Sequence, residues 1–354
     1  MDLNNTIFSF LLLFLAYFFK KYFLLILKKN NSNLLIDNEF KKPQAFHESD
    51  TFRLGGLIFF TLLSLVFLYL YFFKNILLVE YMSFSVLFFL LGLLDDLKIN
   101  IKPKFRLLAM TILLITLVIY NSFYITKSGL NFLDSLLKTD IFALFFICLC
   151  FLFIINGANL IDGFNGLLGI HALIIFIILF IINVVNGNNE LAYILFYISL
   201  LTLFFLKFNF PKAQIFLGDG GAYLIGALIA VSVIKTSILL PSISPFFFCT
   251  ILFYLFFEVF FSFFRKIFFK RQTPLFPDNQ HLHMCLYRFL LKKYKKKLKS
   301  NYFVSIYINF TYLLLMIPNI LFFDNGLFCR FYFLLLVLIY IYFYRILYNK
   351  GFEK

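Results

Sequence analysis

Long apolar runs constrain this chain more than any other feature. A helix needs about 20 apolar residues to cross a hydrocarbon core about 30 Å thick, and eleven segments approach that length. Their limits are roughly 5–27, 54–73, 81–94, 107–122, 139–157, 167–185, 191–206, 221–238, 244–264, 302–322 and 329–347. Because backbone groups in lipid must be satisfied within the segment, these runs predict helices. We therefore expect an all-α polytopic integral membrane protein with about eleven transmembrane helices, ten being the alternative count.

The composition excludes a water-soluble globular protein. Of the 354 residues 62% are hydrophobic and 14% are charged, whereas soluble domains are about 45–50% apolar and about 25% charged. A chain of this size cannot hide that excess in a core, so its solvent is a lipid bilayer. We find no internal repeat and no linker, and therefore predict one membrane domain over residues 1–354.

We interpret the net charge of +15 as a sign of the chain's orientation in the membrane and not of binding to nucleic acid. If the loops after odd-numbered runs face the cytoplasm, 27 of the 32 lysines and arginines lie on that side. Cytoplasmic loops carry such an excess, so we expect the N-terminus outside and the C-terminus in the cytoplasm. The lysine-rich stretch 292–299 fits a solvated loop end that faces anionic lipid.

The scarce acidic residues collect where apolar runs end. Asp95 and Asp96 follow the third run, Asp162 follows the fifth and Asp219 follows the seventh. Two runs separate each position from the next, so all four carboxylates are predicted on the cytoplasmic face. Carboxylates are the hard oxygen ligands that suit Mg²⁺ together with substrate phosphates, and basic residues beside them favour phosphoryl transfer.

Each of these features has a simpler explanation when taken alone. The aspartate pair 95–96 could be a solvated helix cap, and the glycines near Asp162 and Asp219 could be helix-packing points. His281 and His283 could be surface residues of a basic loop. Glu258, inside the ninth run, could bond a neighbouring helix or belong to a functional site, and both alternatives stay open. The common membrane face of the clusters favours a functional site.

An ordered set of motifs extends over residues 53–283. It comprises RLGG at 53–56, GLLDD at 92–96, KPKFR at 102–106, NGANLIDGFNG at 156–166, FLGDGG at 216–221 and HLH at 281–283. The set resembles the polyprenyl-phosphate N-acetylhexosamine-1-phosphate transferases. That family includes the undecaprenyl-phosphate GlcNAc-1-phosphate transferases and the phospho-MurNAc-pentapeptide transferases.

The resemblance implies transfer of a sugar-1-phosphate from a UDP-sugar to undecaprenyl or another polyprenyl phosphate, with release of UMP. This would be the first membrane step of cell-envelope polysaccharide, O-antigen or peptidoglycan synthesis in a bacterial inner membrane. It also implies Mg²⁺ as cofactor, with Mn²⁺ as the alternative. Direct attack of the lipid phosphate and a two-step route through an aspartyl-phosphate both stay open, as does a homodimer.

The resemblance also implies roles for individual residues. The catalytic residues would be Asp95, Asp96 and Asp162, and the metal would be held by Asp219 and Asp96. The substrate-binding residues would be Arg53, Lys104, Arg106, Asn156, Asn159, Asn165, His281 and His283. Among them Lys104 and Arg106 would hold phosphate, and the histidine pair would hold the sugar-phosphate end of the donor.

Two departures from the family pattern stand out. Met284 replaces a usual third histidine, and Asn165 stands where many relatives have an aspartate. The RLGG turn and the HLH loop are nearer to the surface-polysaccharide branch than to the peptidoglycan branch. The competing function is an ion-coupled transporter, which predicts acidic residues near the centres of helices and often an inverted repeat.

Overall fold

Helices make up most of the computed structural model, which describes residues 3–29, 35–37, 51–99, 101–269, 273 and 279–352. The helices are α1 Leu3–Lys29, α2 Gly55–Lys74, α3 Val79–Asp96, α4 Pro103–Tyr120, α5 Asn131–Leu136, α6 Asp140–Ile161, α7 Leu167–Val185, α8 Asn189–Asn209, α9 Gly218–Leu239, α10 Pro245–Ile251, α11 Phe253–Phe264, α12 Leu282–Tyr294, α13 Lys297–Leu321 and α14 Gly326–Phe352. A π-helical turn, Arg265–Phe269, continues α11, and two short strands, β1 Ile36–Asp37 and β2 Thr51–Phe52, pair with each other.

The all-α prediction is confirmed, and each predicted apolar run coincides with a helix or, for 244–264, with the pair α10 and α11. In the described part of the chain nine helices are long and apolar enough to span a membrane, or ten if that pair is one span. Helix α3, the predicted run 81–94, is not among them because it carries Glu80, Asp95 and Asp96. The protein is a multi-pass membrane protein.

Helix α9 lies at the centre of the molecule and is buried along almost its whole length. It packs against α2, α3, α6 and α7. Small residues allow these helices to approach closely, as is usual between helices in a bilayer. A Cβ atom added at Gly226, for example, would lie 2.8 Å from the Cα atom of Ile155 in α6. The ends of several helices are thereby brought around the first turn of α9.

The predicted ninth span is bent. Helix α10 meets the segment 253–268 at 75°, and Leu252 lies at the break. The hydroxyl of Tyr312 in α13 donates a hydrogen bond of 2.7 Å to the carbonyl oxygen of Ile251. A side chain that satisfies backbone groups freed at a break is a recognised cause of a kink. Beyond the bend, α11 packs against α6, and its Phe257 and Phe261 contact Tyr340 and Tyr344 of α14.

Of the polar stretch 28–53, the structure describes residues 28–29, 35–37 and 51–53. Strands β1 and β2 pair antiparallel, with Ile36 opposite Phe52. Phe52 also bridges to Ile215, just before α9. Lys41 and Lys42, two of the residues predicted to face the cytoplasm, lie outside the described residues. The strand pair therefore ties the segment before α2 to the segment before α9.

Candidate active site

The RLGG turn is bonded to the backbone that precedes α9. The N–H groups of Gly55 and Gly56 donate to the carbonyl oxygens of Phe216 and Leu217, each at 2.8 Å. Gly218 follows at φ +77°, a left-handed conformation that glycine adopts without strain. Two glycine-containing motifs that lie far apart in sequence thus form one backbone junction, and this junction determines where Asp219 lies.

The end of α3 packs directly on the same junction. A Cβ atom added at Gly92 would lie 2.6 Å from the carbonyl carbon of Asp219 and 2.6 Å from the Cα atom of Gly220. Backbone atoms at that distance cannot yield as a flexible side chain would. The glycine of the GLLDD motif therefore allows Asp95 and Asp96 to reach the first turn of α9.

Asp96 caps helix α9. Its Oδ1 accepts a hydrogen bond of 2.9 Å from the N–H of Asp219, and its Oδ2 accepts one of 2.9 Å from the N–H of Gly220. An anionic side chain is favourable there because the first N–H groups of a helix have no partner in the helix and carry partial positive charge. Asp96 is 4% exposed, so the structure gives this predicted catalytic and metal-binding residue a positioning contact.

The other carboxylates face one another around this cap. Asp95 pairs with Arg106 at the start of α4, Nη1 to Oδ2, at 2.8 Å. Asn159 Nδ2 donates to Asp219 Oδ1 at 2.6 Å. Asp162 lies just beyond α6, and burial, followed by the charges of Asp219 and Asp96, raises its pKa well above the usual range. Carboxylates that repel one another in this way would be stabilised by a cation.

Arg53 connects this cluster to the strand pair. Its Nη2 lies 2.9 Å from Asp37 Oδ2, and its Nη1 lies 3.6 Å from Asp96 Oδ1. Guanidinium groups are well suited to carboxylates and phosphates because their donors form a planar fork. The predicted substrate-binding residue Arg53 therefore lies beside the acidic cluster, and Asp37 is a contact that the sequence did not predict.

A cavity of about 390 Å³ opens beside these residues. The residues that line it are Ile36, Arg53, Asp95, Asp96, Lys98, Ile99, Ile101, Lys102, Pro103, Arg106 and Asp219. The predicted cation Lys104 is not among them and is exposed. Lys98 and Lys102, which the prediction omitted, line the cavity instead. The cavity thus combines three carboxylates with four cations.

Two predicted substrate-binding asparagines make other contacts. Asn156 Nδ2 donates to the carbonyl oxygen of Leu152 in its own helix at 2.8 Å. Asn165 Nδ2 donates to the carbonyl oxygen of Pro211 at 2.9 Å, and its backbone N–H donates to Asn301 Oδ1 at 2.9 Å. Neither side chain is brought against the carboxylates by these bonds. The structure instead gives Asn165 the role of holding the loop that follows Asp162.

The predicted histidine pair lies in a separate, buried cluster. His281 Nδ1 is 3.1 Å from Glu258 Oε2, and the two imidazole rings stack with centroids 5.4 Å apart. His283 Nδ1 is 3.1 Å from the Tyr254 hydroxyl. His281 is 2% exposed and His283 is fully buried, so the predicted surface-loop alternative is wrong. Neither histidine lines the cavity beside Asp219.

Glu258 organises this cluster from inside α11. Its Oε1 accepts a hydrogen bond of 3.2 Å from the N–H of Leu282, the first residue of α12. The ring of Phe164, in the loop after Asp162, meets the ring of His283 at 5.6 Å. Glu258 therefore bonds a neighbouring element, and the 162–166 loop lies between the carboxylates and the histidine pair. Met284, which replaces the family's third histidine, is buried.

Comparison with known proteins identifies similar sequences. The sequence profile described as glycosyl transferase family 4 matches residues 78–237, a stretch that contains all four aspartates of the predicted site. The phospho-N-acetylmuramoyl-pentapeptide-transferase of Dictyoglomus turgidum is 31% identical over 250 residues, which cover 68% of this chain and 76% of that relative.

Relatives with two different printed activities match. The phospho-N-acetylmuramoyl-pentapeptide-transferase of Clostridioides difficile is 30% identical over 208 residues, 55% of this chain and 63% of the relative. The undecaprenyl-phosphate alpha-N-acetylglucosaminyl 1-phosphate transferase of Thermotoga maritima is 30% identical over 200 residues, 56% of this chain and 58% of the relative. These relatives are transferases, and none has the printed name of a transporter.

Proposed function

Since this chain belongs to glycosyl transferase family 4, we infer that it transfers a sugar-1-phosphate from a UDP-sugar to a polyprenyl phosphate and releases UMP. The printed activities of its relatives support this inference. The observation that carries it here is the cavity beside Asp219, in which carboxylates from two helices lie among four cations. The acids are at helix ends, where a transferase needs them, rather than at helix centres.

We propose a direct transfer. An oxygen of the lipid phosphate forms a bond to the β-phosphorus of the donor, while the bond from that phosphorus to the bridging oxygen breaks and UMP leaves with the oxygen. The acceptor is already an anion and needs orientation and charge screening. Arg53, Lys98, Lys102 and Arg106 line the cavity and would offset the phosphate charges.

Mg²⁺ is proposed as the cofactor, with Mn²⁺ as the alternative. Among the described residues no three His, Cys, Asp or Glu side chains form a ready-made metal cage. Mg²⁺ does not require one, because it is usually held by one or two carboxylates together with substrate phosphates. Asp219 and Asp162 are the carboxylates proposed to hold it, and when bound it would neutralise the pyrophosphate. Asp96 would keep the first turn of α9 in place.

The cavity is proposed to face the cytoplasm, where UDP-sugars are made. The excess of basic residues on that side of the chain supports this orientation. A cysteine introduced at exposed Lys104, near the cavity, should react with a membrane-impermeant maleimide only in inside-out vesicles. Labelling in intact cells would contradict the proposed orientation.

The function is tested by UMP release from purified protein given undecaprenyl phosphate, Mg²⁺ and a panel of UDP-sugars. We expect release that requires the lipid, and the panel identifies the sugar. Relatives of both branches match at similar identity, so the surface-polysaccharide branch stays a prediction that the panel tests. Lipid-independent release, or no release with any UDP-sugar, would contradict the proposal.

A single-turnover experiment separates the two routes. Protein is mixed with UDP-sugar labelled in the β-phosphate, without lipid, and is then denatured. The direct transfer predicts unlabelled protein, whereas an aspartyl-phosphate route predicts label on the chain.

A further inference from the structure

A second large cavity lies away from the carboxylates, between α11, α12, α13 and α14. Its volume is about 420 Å³, within the range of about 300–1,000 Å³ that is usual for small-molecule sites. It shares no lining residue with the cavity beside Asp219. Sugar-phosphate transfer therefore does not account for it.

The walls of this second cavity are apolar and its rim is basic. Leu286, Phe289 and Leu290 of α12 face Leu315 and Met316 of α13 across it. Of the described residues that line it, Lys293 alone is charged. An occupant that fits these walls has a long apolar part and one anionic group.

A strip of aromatic rings connects Lys293 to a second lysine at the rim. The Nζ atoms of Lys293 and Lys299 lie 5.5 and 4.6 Å from the centroid of the Tyr294 ring. Tyr294 stacks on Phe303 at 5.3 Å, and Phe303 stacks on Tyr307, which lines the cavity, at 5.8 Å. Tyrosines and lysines are typical of the level of lipid headgroups.

The sequence around the rim contains no acidic residue to neutralise it. Between Asp278 and Asp324 there is no aspartate or glutamate, and that stretch contains Arg288 and six lysines between 292 and 299. Basic residues at the cytoplasmic membrane surface attract anionic lipid headgroups. Helix α12 combines an apolar side, which lines the cavity, with a basic last turn that carries Lys292 and Lys293. This arrangement matches the acyl chain and the anionic headgroup of a lipid.

We propose that this second cavity binds one acyl chain of an anionic phospholipid of the inner leaflet, with the lipid phosphate at Lys293 and Lys299. The site is distinct from that of the proposed reaction, although the choice of leaflet rests on the proposed orientation. A nucleotide does not fit apolar walls. The polyprenyl acceptor must present its phosphate in the cavity beside Asp219.

The bound lipid would also stabilise the histidine cluster. Tyr254 lines the lipid cavity and hydrogen-bonds His283, and Leu282 lines it while its N–H is bonded to Glu258. A chain in the cavity packs on both residues and restrains the start of α12. The lipid is therefore expected to raise the melting temperature of the protein without being consumed in the reaction.

Native mass spectrometry of the purified full-length chain tests the proposal. The protein is titrated with phosphatidylglycerol or with phosphatidylcholine of the same acyl chains. We expect one phosphatidylglycerol to bind preferentially. The double variant Lys293→Gln, Lys299→Gln should weaken it roughly tenfold or more, as expected for two basic residues at a lipid surface. The matched control Lys127→Gln, Lys138→Gln changes two lysines that do not line this cavity and should bind as the parent does.

A second variant blocks the cavity without changing its charge. Thr311 lines the cavity and is exposed, so Thr311→Trp should fold and exclude the acyl chain. Equal binding of both lipids by the parent, or unchanged binding by the lysine variant, would overturn the proposal. Displacement of the phospholipid by equimolar polyprenyl phosphate would also overturn it, because the cavity would then be the acceptor's groove.

The binding measurement contains no UDP-sugar, so it is independent of the transferase assay. UMP release is measured separately on the same preparations. A protein that binds the lipid but releases no UMP would contradict the proposed function alone. A protein that releases UMP but shows no preference for the anionic lipid would contradict this proposal alone.

Discussion

The carboxylate cluster beside Asp219 and the histidine cluster around Glu258 contain similar residue types but differ in how they are bonded. Asp95 and Asp219 line a cavity that is also lined by four basic side chains. His281 and His283 are buried and bonded to Glu258 and Tyr254. The first cluster can contact substrate directly, whereas the second holds the start of α12. Both clusters border a cavity, but only the cavity beside Asp219 is lined by carboxylates and several basic side chains, and we therefore propose it as the reacting site.

The largest expected effect is at Asp219. Asp219→Asn keeps the shape of the side chain but removes a charge that would hold the metal. We expect kcat to fall about 100- to 1,000-fold, the usual effect of removing one preorganised electrostatic group. UMP release measures it. Asp140→Asn is the matched control and should be fully active. Asp140 is an exposed carboxylate at the first residue of α6, whereas Asp162 follows the last residue of that helix.

Gly92 tests whether close packing of α3 on α9 sets the carboxylate geometry. Gly92→Ala would push a methyl group into the backbone at Asp219 and Gly220. We expect about a 100-fold loss of UMP release, since small misplacements of reacting groups can have effects of that size. Gly326→Ala, where the nearest atom would be 3.8 Å away, should leave release unchanged. Full activity of Gly92→Ala would show that this contact is not needed.

The next effect is expected at Glu258. Glu258→Gln removes the charge that holds His281 and the N–H of Leu282. We expect the free energy of unfolding to fall by about 1.5–3 kcal/mol, which is typical of a hydrogen bond to a charged group. Thermal unfolding in detergent measures the change, with Glu190→Gln as the exposed control. If the melting temperature is unchanged while UMP release is lost, the histidine cluster acts on substrate directly and our comparison is wrong.

The smallest effect separates two lysines of one motif. Lys102 lines the cavity and Lys104 does not. Lys102→Gln should raise KM for the phosphate-bearing substrates about fivefold, the effect expected of one exposed charge pair. Lys104→Gln, the control, should leave KM unchanged. The reverse result would restore the original sequence prediction.

The sequence predicted the helices from the length of the apolar runs, and the meeting of the acidic motifs from the number of spans between them. Apolar length predicts spans, and two spans between motifs return Asp95, Asp162 and Asp219 to one face. It could not distinguish Lys102 from Lys104. That choice depends on the left-handed turn at Lys98, with φ of +61°, and on the start of α4.

Other features had no sequence signal of this kind. The bend at Leu252 involves neither glycine nor proline at the break and depends on the Tyr312 hydroxyl from a distant helix. The capping of α9 by Asp96 requires knowing that α3 ends at the start of α9. His281 is buried and contacts Glu258. For Glu258 itself the sequence left two roles open, a bond to a neighbouring helix or a place in a functional site. These features depend on tertiary contacts rather than on local pattern.

The central claim is that the carboxylate cluster, and not the histidine cluster, holds the metal and phosphates. Mn²⁺ binding to the purified protein in the presence of UDP-GlcNAc, followed by electron paramagnetic resonance, tests it most directly. The account predicts bound Mn²⁺ in the parent and in His281→Gln, and its loss in Asp219→Asn. Binding that survives Asp219→Asn but is lost in His281→Gln would contradict the account.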